Sequence, residues 1–253
     1  ILEDVELAFN DALTEGGGAK LTSDTKVTLV GSRVLNNTCL RGSGGGLMLY
    51  RAHIKAANST MRGNVANVGG AAYVTERIST QEIPIFRNVT FDANVAVEPQ
   101  DDGETVGTLQ TKAEGGAVYL YSAGTVEVSQ STCLRNTAAL GGALALVAST
   151  KLVMGDSNLQ ENTATESGGV VSVTLGSLQS SKNIWRNNTA TTGGALFLLS
   201  SQAQLENENM HGNQALSSGG AIMATSSTIS VGGEDTWIVK NRAATSGGAL
   251  AIL

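Results

Sequence analysis

The feature that most constrains this chain of 253 residues is a pair of adjacent glycines that recurs at nine regularly spaced positions. The pairs begin at Gly17, Gly44, Gly69, Gly115, Gly141, Gly168, Gly193, Gly219 and Gly247. Most are followed by Ala and then by alternating aliphatic residues, as in GGALFL at residues 193–198. Self-similarity at a fixed period is typical of solenoids, in which each repeat packs only on its neighbours. The sequence therefore predicts a stack of similar units.

An asparagine precedes each glycine pair, and an apolar residue lies three positions before each asparagine. The asparagines are Asn10, Asn37, Asn64, Asn94, Asn136, Asn162, Asn188, Asn213 and Asn241. The apolar residues are Leu7, Val34, Met61, Phe91, Cys133, Leu159, Trp185, Met210 and Ile238. Stacked asparagines at one corner are expected to pass side-chain hydrogen bonds from coil to coil. We predict that these nine residues form the structural corner of the repeat.

The period and the local patterns together predict the fold class. Successive asparagines are 27, 27, 30, 42, 26, 26, 25 and 28 residues apart. Each unit contains short strand-like runs such as TVEV at 125–128, and none shows the 3.6-residue spacing of an amphipathic helix. This pattern excludes helical solenoids. It favours an all-β, right-handed parallel β-helix of about nine coils with about 26 residues each, the hand following from the preference of parallel crossovers.

We expect residues 1–253 to form one β-helix domain with inserted loops near 76–85 and 97–112. The two prolines, Pro84 and Pro99, lie in these insertions, which we expect to leave the stack beside each other on neighbouring coils. Because the chain begins inside one coil and ends as a strand has just begun, we also expect it to be a fragment of a longer chain.

Alternation along the strand after each glycine pair separates an interior set from an outward set. The aliphatic columns led by Leu47 and Leu49 are expected to fill the interior. The position between them is expected to face outward and is occupied by Leu21, Met48, Tyr73, Tyr119, Ala145, Ser172, Phe197, Met223 and Ala251. We predict Tyr73, Tyr119, Phe197 and Met223 as partner-binding residues. The alternatives are that the register is off by one, or that exposed apolar residues are scattered here without function.

The longer insertion is a second candidate site. The interval from Asn94 to Gly115 is 21 residues, and its extra segment is acidic. Asp101 and Asp102 are candidate contacts for a partner or a cation. The alternative is a solvated surface loop with no function of its own.

No pattern of residues predicts catalysis or a metal site. The Asp101–Asp102 pair has no neighbouring His or Arg, and His53 and His211 are many coils apart. We therefore predict no catalytic residues, no metal and no cofactor. Because parallel β-helices also include enzymes, the alternative is a pectate-lyase-like carbohydrate-active enzyme or a polysaccharide-binding protein.

Charge and hydropathy exclude two classes of partner. The net charge of −6 is accompanied by no basic cluster, which argues against a nucleic-acid partner. No apolar run approaches the ~20 residues of a membrane-spanning helix, so we predict no span in this segment.

The cysteines and sequons leave the compartment open. Cys39 and Cys133 are three coils apart, too far to pair with each other, and their redox state is not predicted. The sequons that permit N-glycosylation are those of Asn36, Asn58, Asn88 and Asn187.

The combination of GGA[LIV] with apolar-x-x-N resembles the repeats of the chlamydial polymorphic outer-membrane proteins. Residues 91–94 (FDAN) give the one complete F-x-x-N, GGAI occurs at residues 219–222, and GGAL follows Gly141, Gly193 and Gly247. Similar repeats occur in surface proteins of algae and protists. The resemblance implies a surface-displayed β-helix with an adhesive or structural role, and it implies no active site.

These observations predict a non-enzymatic β-helix module, extracellular or at the cell surface. Its role would be adhesion or the building of a larger extracellular assembly or filament. Its partners would be a protein or a glycan at the surface, or further copies or adjoining segments of the same assembly.

Overall fold

The computed structural model describes residues 1–23, 25–75, 82–98 and 112–253. In these ranges the chain is all-β, and every strand pair is parallel and joins one coil to the next. The predicted parallel β-helix solenoid of about nine coils is confirmed.

The described strands form three sheets of sixteen, nine and eight strands. The sixteen-stranded sheet contains Leu2–Glu3, Glu6–Ala8, Lys26–Val30, Arg33–Leu35, His53–Arg62, Ile85–Asp92, Thr125–Ser129, Thr132–Leu134, Lys151–Gly155, Asn158–Gln160, Ser177–Ser181, Ile184–Arg186, Gln202–Glu206, Asn209–His211, Thr228–Gly232 and Trp237–Val239. The nine-stranded sheet contains Ala19–Thr22, Leu47–Tyr50, Ala72–Thr75, Val118–Tyr121, Leu144–Val147, Val171–Thr174, Leu196–Leu199, Ile222–Thr225 and Leu250–Ile252. The eight-stranded sheet contains Thr38–Ser43, Val65–Val68, Val95–Ala96, Thr137–Leu140, Thr163–Ser167, Thr189–Ala190, Gln214–Ala215 and Arg242–Ala243.

A regular coil has four sides separated by four corners. The chain follows one strand of the nine-stranded sheet, then two successive strands of the sixteen-stranded sheet, and then one of the eight-stranded sheet. Residues with positive φ mark the corners; in the coil that starts at Leu144 they are Ser149 (58°), Asp156 (51°), Glu161 (55°) and Gly168 (68°). Residues in the left-handed backbone conformation turn the chain sharply, so short strands can close into a coil.

The interior is filled by the two predicted aliphatic columns and by the apolar residue three positions before each asparagine. Leu144, Leu146 and Leu159 illustrate the three columns, and each is 0% exposed. Phe86 and Phe91 meet edge to face, with ring centroids 5.5 Å apart. Stacking in register thus gives each coil the apolar cover that it cannot provide alone.

The nine asparagines form one continuous ladder along a corner that is buried from Asn37 to Asn213. The Nδ2 of each donates to the Oδ1 of the next over eight links of 2.9–3.1 Å. In each link the backbone N–H of the first asparagine donates to the same Oδ1, as from Asn136 to Asn162 at 3.0 Å. The Oδ1 of each asparagine therefore accepts both the side-chain and the backbone hydrogen bond of the asparagine in the preceding coil.

The second Nδ2 proton explains the three-residue spacing of the motif. The Nδ2 of Asn136 also donates to the carbonyl of Phe91 at 2.9 Å, and Phe91 lies three positions before Asn94 of the preceding coil. The same contact joins Asn162 to the carbonyl of Cys133. The apolar residue thus fills the core with its side chain and accepts a ladder hydrogen bond with its backbone.

A second, more varied stack lies at the corner between the two strands of the sixteen-stranded sheet. The backbone N–H of Ser157 donates to Oδ1 of Asn183 at 2.8 Å, and that of Asn183 donates to Glu208 at 3.1 Å. The Glu208 carboxylate is 0% exposed and also accepts from Trp185 Nε1 at 2.6 Å and Ser180 Oγ at 2.7 Å. Burial raises the pKa of Glu208, although these donors oppose the shift.

The glycine pair is required at its corner for two reasons. Gly141 has a φ of 61°, which side chains disfavour. A Cβ on Gly142 would stand 2.2 Å from the carbonyl oxygen of Gly169 in the next coil. The first glycine therefore makes the turn, and the second permits adjacent coils to approach.

The first coil differs from the predicted register by one residue. Gly16 rather than Gly17 has the positive φ, and Lys20 rather than Leu21 pairs with Met48. Leu21 consequently packs against the core. Three glycines run together here, so the sequence alone does not mark which pair makes the corner.

The ladder predicts a large cost for removing one buried amide. We expect Asn136→Ala to lower the free energy of unfolding by about 3 kcal/mol, because it leaves the buried donors of Asn94 without their acceptor. The control is Asn209→Ala, an outward residue on a strand, with an expected change within about 0.5 kcal/mol. Denaturant unfolding followed by circular dichroism measures both, and equal effects would contradict the ladder's role.

The corners predict a stabilising substitution. Glu161 is exposed and has a φ of 55°, so we expect Glu161→Gly to raise the free energy of unfolding by about 1 kcal/mol through relief of backbone strain. Gln160→Gly, in the adjacent strand, should instead destabilise by roughly 0.5–1 kcal/mol. The same unfolding measurement applies, and destabilisation by Glu161→Gly would contradict the assigned corner.

Candidate functional site

The predicted outward stripe lies outside the core but is not an open surface. Tyr73 and Tyr119 stack at 5.2 Å between ring centroids, with an angle of 18° between their planes. Tyr119 is only 2% exposed and Met223 only 6%, while Tyr73 and Phe197 are half-buried. The expectation that this row faces solvent is therefore wrong for its buried members, which are Met48, Tyr119, Ala145, Ser172, Met223 and Ala251.

The stripe is covered by the segment that leads into each glycine pair. Val68, Glu114 and Leu140, each directly before such a pair, are bridged in successive coils. Val68 forms a small apolar cluster with Tyr119 and Ala145 of the stripe. Strand alternation correctly excludes these residues from the interior, but it does not reveal that another part of the coil folds over them.

The acidic candidates Asp101 and Asp102 lie outside the described residues. The described flanks separate the two insertions: one follows Thr75 at the end of the nine-stranded sheet, and the other follows Val95–Ala96 of the eight-stranded sheet. The two flanks thus lie at different corners of the coil, and whether the insertions run beside each other lies outside the described residues. Ile85, placed in the first insertion, already begins the strand Ile85–Asp92.

The sequon asparagines are all exposed and all lie at corners with positive φ. Their φ values are 52° for Asn36, 50° for Asn58, 52° for Asn88 and 56° for Asn187. The Nδ2 of Asn88 donates to Oδ1 of Asn58 at 2.7 Å. A regular coil contributes two strands to the sixteen-stranded sheet, and these corners lie just before or just after the second of them, or at the equivalent point where the two strands run together. Among the described residues, the corner before the first strand carries no sequon.

A groove of about 790 Å³ runs along this sequon-free corner, where the chain passes from the nine-stranded sheet to the sixteen-stranded sheet. We name it the corner groove. It crosses four successive coils and is lined by Ala148, Ser149, Thr150, Leu175, Gly176, Ser177, Ser200, Ser201, Gln202, Ser226 and Thr228. Eight of these eleven residues carry a hydroxyl or a carboxamide, and none is charged. Sequence reasoning missed it, although Ser- and Thr-rich stretches after each aliphatic strand were a signal for it.

The polar lining divides into a structural floor and an outward rim. Thr150 and Ser201 are buried and their hydroxyls cap the corner: Ser201 Oγ, for example, donates to the Leu199 carbonyl at 2.7 Å. The rim consists of Ser149, Ser177, Ser200, Gln202, Ser226 and Thr228. In the described part of the chain, the rim side chains make no hydrogen bond, so they are available to a ligand.

The polar rows continue from the groove onto the outer face of the sixteen-stranded sheet. Ser177, Gln202 and Thr228 are in register, and so are Gln179 and Gln204 beside them. Hollows of about 270 and 280 Å³ lie over these rows. These coils thus repeat outward polar positions at the ~4.8 Å spacing of paired strands, whereas the coil before them has Lys151 and Val153 in the two rows.

An apolar ledge borders the groove on its other side. Tyr121, Val147, Thr174 and Leu199 lie at the last position of their strands in the nine-stranded sheet, in one mixed register row. Tyr121 is 38% exposed, Leu199 37% and the neighbouring Leu175 60%. Of these exposed apolar residues, Leu175 lines the groove itself, so the groove presents hydrocarbon there beside its polar rim.

The described residues include no group of three or more His, Cys, Asp or Glu side chains that could hold a metal ion. His53 pairs in register with Lys26, whereas His211 pairs with Arg186 on another side of the coil. The structure does not bring the two histidines together, and neither lines the corner groove.

The two cysteines are buried and unpaired. Burial, with added repulsion from Asp11 and Glu15, raises the pKa of the Cys39 thiol to about 11. Burial alone raises the pKa of Cys133 to about 12. Both are therefore unreactive thiols in the folded chain.

One half-buried carboxyl has a pKa near neutrality. Burial raises the pKa of Glu114 to about 7; the positive charge of Lys112 opposes the shift and the negative charge of Glu166 adds to it. Lys112 Nζ and Glu166 Oε2 form an ion pair at 2.6 Å. Glu114 therefore exchanges a proton in the range where the ordinary carboxyl, at 4.5, is fully ionised.

No family model, curated protein or solved structure matches this chain. Within the described ranges, no helix has the length and apolar character needed to cross a membrane.

The pKa of Glu114 predicts a stability that falls as pH rises. The folded chain holds this proton more tightly than the unfolded chain, so the contribution is complete below 4.5 and is lost as pH passes about 7. We expect a loss of up to about 3 kcal/mol between pH 4.5 and 7.5, with Glu208 contributing in the same direction. Denaturant unfolding at several pH values measures it.

In Glu114→Gln this slope should be smaller, because the side chain no longer titrates. Glu161→Gln, which removes an exposed carboxylate at a corner, should leave the slope unchanged. A wild-type stability that rises between pH 4.5 and pH 7.5 would show that Glu114 is not held in this environment.

Proposed function

We propose that this chain is a non-enzymatic β-helix module, extracellular or at the cell surface, that adheres to a surface partner through the side bearing the corner groove. The observation that carries the proposal is the groove itself, which crosses four coils and in which unengaged polar side chains are in register over three of them. A rigid coil stack holds such a row in fixed spacing, which suits attachment to an extended partner.

The lining of the groove supports binding over catalysis. Hydrolysis or elimination on a polysaccharide needs a positioned acid and base, most often a pair of carboxylates. The eleven residues that line the groove include no Asp, Glu, His, Lys or Arg. Of the two smaller hollows, one is lined by Glu206 and the other by Lys151, and neither is lined by a second charged residue from the described ranges. The rival function, a carbohydrate-active enzyme, would need catalytic groups that this surface lacks.

The surface location is supported by the repeat and by the corners that carry sequons. The GGA[LIV] and apolar-x-x-N repeat resembles that of surface-displayed proteins, and the ladder accounts for its asparagine. Asn36, Asn58, Asn88 and Asn187 are exposed on corners away from the groove. Glycans there would leave the groove open. The partner in this proposal is a protein or glycan on a surface, and further copies of the chain are the other partner that a repeat module admits.

Retention on immobilised polymers tests the proposal. The purified chain is passed over hydroxyethylcellulose, dextran, galactomannan, polygalacturonate, dextran sulfate and gelatin, and each polymer is also incubated with the chain and assayed for new reducing ends. We expect retention on at least one polymer and no reducing ends above the buffer level, because the groove binds and does not cleave.

Two results would overturn this function. New reducing ends would establish the enzymatic rival, and failure to be retained on every polymer would exclude adhesion to these surfaces. Light scattering on the same sample gives the mass in solution; a chain that forms long assemblies and is retained on nothing would be an assembly subunit instead.

A further inference from the structure

The chemistry of the corner groove selects a neutral ligand. Its rim offers Ser and Thr hydroxyls and the Gln202 carboxamide, groups that both donate and accept hydrogen bonds. A polyanion would require Lys or Arg along the groove, and a cation would require carboxylates. With no charge among the eleven lining residues, the complementary ligand also carries polar groups that donate and accept.

The spacing of the rim selects a polymer. Ser177, Gln202 and Thr228 occupy the same position in three successive coils, separated by ~4.8 Å per coil. A ligand that satisfies all three must present polar groups at regular short intervals along the solenoid axis. A chain of repeating hydroxylated units meets this condition.

The strand pairing argues against an extended peptide in the groove. Peptides that lie along sheets usually add as a strand and use unpaired backbone groups at a sheet edge. Ser177–Ser181 pairs with Lys151–Gly155 on one side and with Gln202–Glu206 on the other. Under the groove the backbone groups of these strands are already used within the sheet, so binding there depends on side chains.

The apolar ledge completes the match to a sugar. A pyranose ring presents hydroxyls at its edge and C–H groups on its face, so it binds best where polar groups and hydrocarbon adjoin. Leu175 lines the groove and is 60% exposed, so it presents hydrocarbon beside the polar rim. Aromatic and aliphatic surfaces are favoured contacts for such faces.

We propose that the corner groove binds a neutral polysaccharide whose chain lies along the solenoid axis over four coils. Hydroxyls of the sugar units hydrogen bond to Ser177, Gln202 and Thr228, and a ring face packs on Leu175. This inference rests on the proposed adhesive function and names the ligand class of that same groove.

Affinity electrophoresis of the full chain tests the inference. Gels contain hydroxyethylcellulose, dextran or galactomannan as neutral probes, and polygalacturonate or dextran sulfate as anionic ones. We expect retardation by at least one neutral polymer and none by the anionic polymers. The triple variant Ser177→Ala, Gln202→Ala, Thr228→Ala should weaken the neutral interaction at least tenfold, and Leu175→Ser should weaken it several-fold.

A matched control uses polar residues on another outward row. Thr132, Asn158 and Asn209 lie in the second set of strands of the same sheet, and their triple alanine variant should bind as the wild type does. All substituted side chains point outward, and circular dichroism with thermal unfolding shows that each variant is folded. Gln202→Ala alone, expected to weaken binding several-fold, serves if the triple variant is unstable.

The outcomes separate this inference from the proposed function. Retardation by no neutral polymer, preference for the anionic polymers, or equal binding by wild type and groove variants would overturn the glycan assignment. Retention on gelatin alone would do the same while leaving adhesion intact. Release of reducing ends from a bound polymer would instead overturn the non-enzymatic function.

Discussion

The asparagine ladder is the interaction on which the rest of this structure depends. Each buried amide uses its oxygen for two donors from the preceding coil and its nitrogen for two acceptors, as Asn136 does with Asn162 and Phe91. Such a group has no unsatisfied atom, and none of its bonds competes with water. Because every link joins equivalent positions of adjacent coils, the ladder fixes the register of the whole stack.

That register explains why the outward surface is orderly. Beyond Asn162 and Asn188, which are 26 residues apart, the offset between the two coils becomes 25 residues, and the strands that follow still pair in register, as Ser177 and Gln202 of the groove do. In the middle coils both edges of each strand are paired, so a ligand binds there through rows of side chains rather than through unpaired backbone groups. The proposed adhesive surface is therefore a consequence of the same repeat that builds the core.

Much of the fold could be predicted because residues that stack on one another in successive coils recur at a regular spacing in the sequence. The ladder, the glycine corners and both interior columns follow from positions that recur in the sequence. The groove and the burial of Tyr119 could not be predicted in this way. Both depend on which segment packs outside the strand, and alternation along one strand does not show that. Glu208 was missed for another reason: its stack uses Ser, Asn and Glu in turn, so no single residue type recurs. In the first coil, three consecutive glycines hid the register.

Hydrogen exchange of the ladder asparagines tests the central claim most directly. NMR can follow the backbone N–H and side-chain NH₂ protons of Asn64, Asn94, Asn136, Asn162 and Asn188. If the ladder organises the stack, both side-chain protons of these residues are protected from exchange to the same degree as the neighbouring strand amides. Side-chain protons that exchange as fast as those of exposed Asn187, while the strand amides stay protected, would contradict it.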